Sequence, residues 1–153
     1  MNFIRQQRAS KHFEPNQKHL IYGMDADLIF LGLTLHEPQF YIIRETVSST
    51  GGPMLGKFEL IIINELRLLI QQEFGSFDSW TKKESSDKNQ GPDLERVIDD
   101  IVFLCFLVGN DFLPHIHSMD ISEGALDCLF AIYRKQLPAM PDYLTNRTMA
   151  RFN

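Results

Sequence analysis

The sequence has few cysteines, no excess of positive charge and no long hydrophobic run. Its two cysteines, Cys105 and Cys128, lack the spacing of a zinc site, which favours buried free thiols in a reducing compartment. A net charge of -5 argues against a protein that binds nucleic acid by bulk electrostatic attraction alone. An acidic site can still act on a phosphate backbone when divalent cations lie between them.

The N-terminal segment and the apolar segments show no signal for export or for a membrane. The segment "MNFIRQQRAS" at residues 1–10 lacks the apolar core of a signal peptide. The longest apolar run, "IVFLCFLV" at 101–108, is too short to span a bilayer. These absences predict a soluble intracellular protein with no membrane partner, but they do not distinguish the nucleus from the cytoplasm.

Strand and helix patterns both occur along the chain, which predicts an α/β fold. Composition and periodicity predict strands over 19–24 and 39–45, and helices over 1–8, 26–35, 57–74, 94–110 and 123–137. Within the third of these helices, residues 58–62 could form a strand instead. Caps are expected from Asp93 and Ser122, and Pro138 ends the last helix. Glycine, proline and polar residues predict loops over 47–56 and 75–93.

Two carboxylates stand in an apolar neighbourhood at "YGMDADLIFLG", residues 22–32. If the strand continues through Asp25 and Asp27, both side chains point the same way, because side chains on a strand alternate between faces. At the carboxyl end of a parallel strand they would face the crevice where open α/β sheets bind ligands. Hard oxygen ligands there suit a divalent metal. The alternative is that one aspartate caps the following helix while its neighbour is solvated.

A second acidic segment, "GNDFLPH" at 109–115, follows the long apolar helix. Asp111 could be a ligand or could cap the next turn. In the adjacent pair Asp99–Asp100 the two side chains point to different faces of the helix. One could be solvated while the other meets an arginine or a backbone amide. His115 and His117 lack a third zinc ligand, so surface or polar-core histidines are the better interpretation.

Two long blocks carry a resemblance to a known family. The blocks "HLIYGMDADLIFLGLTLHEPQFYIIRE" and "RVIDDIVFLCFLVGNDFLPHIHSMDISEGAL" resemble consecutive blocks of the XRN family of 5′→3′ exoribonucleases. The resemblance covers residues 1–135 and implies part of a nuclease core related to the PIN and flap-endonuclease folds. That fold has a mixed or parallel sheet with flanking helices, incomplete in this chain. Residues 136–153 would begin a following helical region, also incomplete here.

The resemblance also implies a site, a cofactor and a substrate. In the family, acidic residues hold two divalent cations, usually Mg²⁺, with Mn²⁺ as the alternative. Its D-A-D pair falls on Asp25 and Asp27 and its G-N-D aspartate falls on Asp111, which implies catalytic and metal-binding roles for all three. The family's remaining acids and its pocket for a 5′-monophosphate lie upstream of the stretch matched here. The implied substrate is therefore RNA with a 5′-monophosphate, and the sequence does not identify any protein partner.

Three functions compete at this point. The first is a metal-dependent 5′→3′ exoribonuclease core that releases nucleotides, with the isolated chain expected to be inactive. The second is an inactive truncated copy that acts at most as a binding module. The third is a D-x-D phosphatase, which is disfavoured because Ile29 stands where that motif requires threonine or valine.

Overall fold

The computed structural model describes most of the chain: residues 1–11, 13–48, 52–75, 92–109, 111, 113–114 and 124–146. Its helices are α1 (Asn2–Arg8), α2 (Asp27–Leu33), α3 (Ile63–Phe74), α4 (Leu94–Leu107) and α5 (Ala125–Gln136). Its strands are β1 (His19–Tyr22), β2 (Phe40–Val47) and β3 (Pro53–Ile62). Most of the predicted 75–93 loop, together with Ser122 and the two histidines after Pro114, lies outside the described residues. Compact packing divides the chain into two units, Met1–Leu68 and Leu69–Asn153.

The first unit contains a mixed sheet of three strands in the order β1-β2-β3. β1 lies parallel to β2, with Ile21 opposite Ile42, and β2 lies antiparallel to β3, with Ile43 opposite Leu60. The chain between β1 and β2 passes through α2, because two parallel neighbouring strands need a crossover connection, which is usually a helix. The predicted α/β class is therefore confirmed at the level of a small mixed α/β unit.

The strand β3 corrects part of the sequence prediction. A loop over 47–56 was wrong for Val47, which ends β2, and for its last four residues. A helix from residue 57 was wrong for its first six residues, since Pro53–Ile62 is one strand. The alternative of a strand over 58–62 is confirmed. The residues before Ile63 are β-branched and aromatic, and they pair along β2, which outweighs the helical spacing of the segment that follows.

The buried face of the sheet packs against α2. Phe40 is completely buried and Ile42 is 1% exposed, both on β2. Gly32 of α2 lies so close to Phe40 that an added Cβ would come within 3.0 Å of the Phe40 ring and 3.1 Å of Ile63. Because Gly32 has no side chain, α2 can lie close to the sheet. α2 also begins shortly after the end of β1.

The second unit contains the two longer apolar helices. Asp93 caps α4 as predicted, because its carboxylate accepts a hydrogen bond from the Glu95 backbone N–H at 3.0 Å. Cys105 is buried as predicted, and burial raises the pKa of its thiol to about 11. The prediction of a buried thiol was wrong for Cys128, which lies on the exposed side of α5. None of the described helices is long and apolar enough to cross a membrane.

Candidate metal centre

Asp25 lies in the short connection between β1 and α2. The strand ends at Tyr22, and the Gly23 N–H still donates to the Ile43 carbonyl at 3.0 Å. One carboxylate oxygen of Asp25 then accepts a hydrogen bond from the Asp27 backbone N–H at 2.9 Å. Strand alternation therefore does not set the direction of the two aspartates, because the strand stops before both of them.

The interpretation of Asp25 as a helix cap is confirmed in part. The same carboxylate can still accept further ligands. The residue at the N-cap position is Ala26, and Asp25 supplies the side-chain acceptor for the first helical N–H. A carboxylate has about four lone-pair positions, so one backbone N–H occupies only a fraction of them. Asp25 is exposed, so its remaining positions face solvent.

Asp27 is the first residue of α2 and is half-buried. A negative side chain in the first turn is favoured by the helix dipole, which gives Asp27 a structural reason to be there apart from any ligand. Both aspartates follow the carboxyl end of β1, which runs parallel to β2. Ligands of open α/β sheets bind at that end of the strands. In donor chemistry and position the pair fits part of a Mg²⁺ site.

Two further polar residues, Tyr22 and Glu45, lie near the same strand ends and were not predicted from the sequence. The Tyr22 hydroxyl donates to a carboxylate oxygen of Glu45 at 3.0 Å, and the Glu45 backbone N–H donates to the sulfur of Met24 at 3.2 Å. The hydrogen bond to Glu45 raises the pKa of Tyr22. Parallel pairing of β1 with β2 places Tyr22 opposite Ile43, two residues before Glu45. The pair depends on this register, so no local signal in the sequence indicates it.

Asp111 belongs to the second unit. α4 ends at Leu107, and Gly109 follows with a φ of 91°, a conformation that glycine adopts readily. Asp111 is exposed immediately beyond this turn. The expectation that it converges with Asp25 and Asp27 stays a prediction. Across the described ranges, no three His, Cys, Asp or Glu side chains form a group that could hold a metal ion.

Asp100 has a clear structural role. Its side chain is completely buried, and both of its oxygens are fully engaged. One oxygen accepts from the Thr145 backbone N–H at 2.8 Å and from the Thr145 hydroxyl at 2.7 Å. The other accepts from the Tyr133 hydroxyl at 2.7 Å and from the Leu144 N–H at 2.8 Å. Four donors fill the acceptor positions of this carboxylate, so Asp100 is not a ligand candidate. The prediction that one aspartate of this pair meets a backbone amide is confirmed.

A second set of contacts holds residues 143–145 against the start of α4. The Asp93 backbone N–H donates to the Tyr143 hydroxyl at 2.8 Å, and the Arg96 guanidinium lies 4.6 Å from the centre of the Tyr143 ring. Arg96 also donates to the Thr145 carbonyl at 2.7 Å. Burial is the main cause that raises the pKa of Tyr143. These contacts, with those of Asp100, tie residues 143–145 to the helix that leads to Asp111.

Family models match both parts of the chain. The model described as "XRN 5'-3' exonuclease N-terminus" matches residues 1–46, which include Asp25 and Asp27. The model described as "Xrn1 helical domain" matches residues 92–153, which include Asp111. The two matches follow each other along the chain without overlap.

Curated proteins from several fungi are similar to almost the whole chain. The 5'-3' exoribonuclease 2 of Candida albicans is 38% identical over 161 residues, and that of Saccharomyces cerevisiae is 39% identical over 163 residues. Each alignment covers 95% of this chain and 16% of the relative. The 5'-3' exoribonuclease 1 of Schizosaccharomyces pombe is 40% identical over 157 residues, which is 96% of this chain and 11% of the relative. The chain therefore spans a small part of the length of the curated relatives it matches.

Proposed function

Because this chain belongs to the XRN family of 5′→3′ exoribonucleases, we propose that the enzyme containing it degrades RNA from a 5′-monophosphate end and releases nucleotides. The sheet and its helices form part of a PIN-like nuclease core. The observation that carries the proposal is the position of Asp25 and Asp27, directly after the parallel strand β1 and inside the stretch matched by the exonuclease model.

Asp25, Asp27 and Asp111 are the residues of this chain that would hold the cations, with Mg²⁺ first and Mn²⁺ as the alternative. Bound there, two divalent cations supply an activated water and a clamp for the charge that develops on the scissile phosphate. Asp25 is held in place by the hydrogen bond from the Asp27 N–H, and Asp27 by the first turn of α2. Both carboxylates therefore have a fixed backbone beneath them, which suits a cation that demands a regular ligand geometry.

The charges of the three residues indicate that they are one part of the site. Three carboxylates carry three negative charges, whereas two divalent cations bring four positive ones. A net charge of -5 provides no general attraction for the RNA phosphates, so that attraction has to come from the bound cations or from other parts of the enzyme. The site is completed by acids from the rest of the enzyme, as the family resemblance implies.

The experiment uses the full-length enzyme that contains this stretch, with RNA bearing a 5′-monophosphate as the substrate. Asp27→Asn and Asp111→Asn keep the shape of the side chain and remove its charge. Each is expected to lower nucleotide release at saturating Mg²⁺ by more than the roughly 10- to 100-fold that follows the loss of a ligand's hydrogen-bond partner. Asp127→Asn, which removes the same charge from an exposed position on α5, is the matched control and is expected to leave the rate unchanged.

Two further substrates separate the proposal from its alternatives. RNA with a 5′-hydroxyl end is expected to be degraded slowly, and a simple phosphate monoester is expected not to be hydrolysed. Hydrolysis of the monoester that depends on Asp25 would favour the phosphatase instead. Full exonuclease activity in Asp27→Asn would show that the assignment of the metal site to these residues is wrong.

A further inference from the structure

One arginine lies on the strand next to the candidate metal centre, and the roles assigned so far do not use it. In residues 19–47, which include Asp25 and Asp27, Arg44 is the only lysine or arginine. It belongs to β2, which pairs with β1, the strand that leads to the two aspartates. The position of this positive side chain therefore decides what it can contact.

Arg44 lies on the face of the sheet that α2 covers. Side chains alternate between faces along a strand, so Arg44 shares a face with Phe40, the residue that lies against Gly32 of α2. Residues directly opposite each other on paired strands also share a face, and Glu59 of β3 is opposite Arg44. The hydrogen bond from the Arg44 Nε–H to a Glu59 carboxylate oxygen, at 3.0 Å, agrees with this placement.

Arg44 is also level with the start of α2. The Gly23 N–H continues the parallel ladder by donating to the Ile43 carbonyl at 3.0 Å, so the residue across from Gly23 is Arg44. Leu28, in the first turn of α2, lies over Gly23, because a Cβ added to Gly23 would come within 2.5 Å of a Leu28 methyl carbon. Neighbouring strands are about 4.8 Å apart. Arg44 is therefore about one strand spacing from the residue beneath the first turn of α2, which begins with Asp27.

The bonding of Arg44 leaves most of its guanidinium available. Within the part of the chain that the structure describes, Glu59 is its one hydrogen-bond partner, and the bond uses the Nε–H. Both terminal amino groups remain, and a guanidinium can bind phosphate through paired hydrogen bonds. The two side chains are 35% and 44% exposed, and an ion pair at that exposure contributes little to stability. The pair with Glu59 therefore orients Arg44 more than it stabilises the fold.

We propose that Arg44 is a substrate-binding residue whose terminal amino groups hold a backbone phosphate of the RNA beside the metal centre. The inference rests on the proposed function, because that function makes RNA the substrate. One positive charge does not reverse the net charge of -5, but it can fix where a phosphate lies. Contacts to phosphate set the position of a nucleic acid and do not read its bases. Arg44 would thus help to place the RNA backbone in line with the cations that Asp25 and Asp27 hold.

The experiment measures the binding of single-stranded RNA with a 5′-monophosphate to the full-length enzyme that contains this stretch. Binding is measured in EDTA over a series of KCl concentrations, so that the cations make no contribution. Arg44→Gln removes the charge, whereas Glu59→Gln removes the ion pair and keeps the arginine. Arg134→Gln is the matched control, because Arg134 also donates to a glutamate, Glu73, in an exposed ion pair. Thermal unfolding of each variant checks that it folds.

Arg44→Gln is expected to weaken RNA binding about tenfold or more, because a hydrogen-bonded charge pair is lost. The slope of log Kd against log salt is expected to fall by about 0.7, the value for one phosphate contact on a single strand. Two RNAs of different sequence are expected to lose the same factor. Arg134→Gln is expected to bind as the wild type does. Glu59→Gln is expected to bind at least as tightly, because Arg44 loses a competing partner.

Three results would overturn the proposal. Unchanged binding in Arg44→Gln would show that this side chain does not meet the RNA. Equal weakening by Arg44→Gln and Glu59→Gln would assign the effect to the ion pair, and equal weakening by Arg44→Gln and Arg134→Gln would assign it to general charge. Absence of RNA binding by the wild type would contradict the proposed function as well, whereas loss of the Arg44 effect alone leaves that function intact.

Discussion

The Tyr133 hydroxyl donates a 2.7 Å hydrogen bond to a carboxylate oxygen of Asp100, and the two side chains are 4% and 0% exposed. The bond joins α5 to α4, and the same carboxylate also binds the backbone N–H groups of Leu144 and Thr145. Burying a carboxylate is costly unless its lone pairs accept hydrogen bonds, so the loss of any one donor destabilises the whole network. One buried side chain thus fixes two helices and the segment after them.

Tyr133→Phe is expected to lower the free energy of unfolding by about 1.5–3 kcal/mol, the usual range for a hydrogen bond to a charged group. The ring is retained, so the loss reports the hydroxyl alone. Urea unfolding near pH 8 measures it. Tyr22→Phe is the matched control, because it also removes a hydroxyl bound to a carboxylate, but on the exposed surface. An unchanged midpoint in Tyr133→Phe would show that the buried bond is not needed.

Stability is expected to fall at alkaline pH, in part through Tyr133. Burial and the hydrogen bond to Asp100 raise the pKa of Tyr133 above its ordinary value of 10.0. A group with a raised pKa in the folded state contributes fully below its unfolded pKa, so stability is lost as the pH rises above 10. Each such group lowers the free energy of unfolding by at most about 1.4 kcal/mol per pH unit.

The comparison of wild type with Tyr133→Phe separates this contribution from the others. Burial raises the pKa of Cys105 from 9.0 to about 11, so that thiol also lowers stability between those pH values in both proteins. Unfolding measured from pH 8 to 11.5 is expected to show a steeper decline for the wild type above pH 10. Parallel curves for the two proteins would contradict the assignment to Tyr133.

Gly32→Ala is expected to destabilise the first unit, although alanine is the better helix former. The helical preference is worth up to about 1 kcal/mol, whereas forcing a methyl group into a packed contact costs about 1–3 kcal/mol. The overpacking outweighs the preference here because both neighbours, Phe40 and Ile63, are completely buried and cannot move aside freely. A double-mutant cycle with Phe40→Leu tests this, since the smaller side chain is expected to relieve the effect of the added methyl group. Additive effects in the cycle would show that the two residues are not in contact.

Local signals in the sequence predicted the elements whose determinants lie close together along the chain. The cap at Asp93 and the strands β1 and β2 are of this kind, since each depends on a short run of residues. β3 was placed only in part, because the residues that follow it have helical spacing and its stability depends on pairing with β2. Neighbouring residues cannot reveal a pairing partner.

The candidate site shows the same limit. The D-A-D motif predicted a role for Asp25 and Asp27, because carboxylates in an apolar run require a partner for their charge. For Asp99 and Asp100 the helix geometry predicted different environments, but not that the acceptor positions of Asp100 would be filled by residues 33 to 45 positions away. Contacts over such separations depend on how the elements pack. A pattern along the sequence does not contain that information.

The 153-residue chain alone is expected to release no nucleotides from 5′-phosphorylated RNA in the presence of Mg²⁺. Its three candidate ligands supply three of the charges needed for two cations, and Asp111 lies in a different unit from Asp25 and Asp27. Mg²⁺ gives up its waters reluctantly, so ligands that are too few or loosely positioned hold it poorly. The exposed apolar side chains of the sheet, among them Leu20, Phe58 and Leu60, are expected to make the isolated chain prone to aggregate, which light scattering measures.

Adding the part of the enzyme that supplies the remaining acids is expected to restore Mg²⁺-dependent nucleotide release, because those acids complete the site. Asp27→Asn is expected to stay inactive in the same mixture, because it removes a ligand. Rapid hydrolysis by the chain alone would mean that the site is complete within these residues.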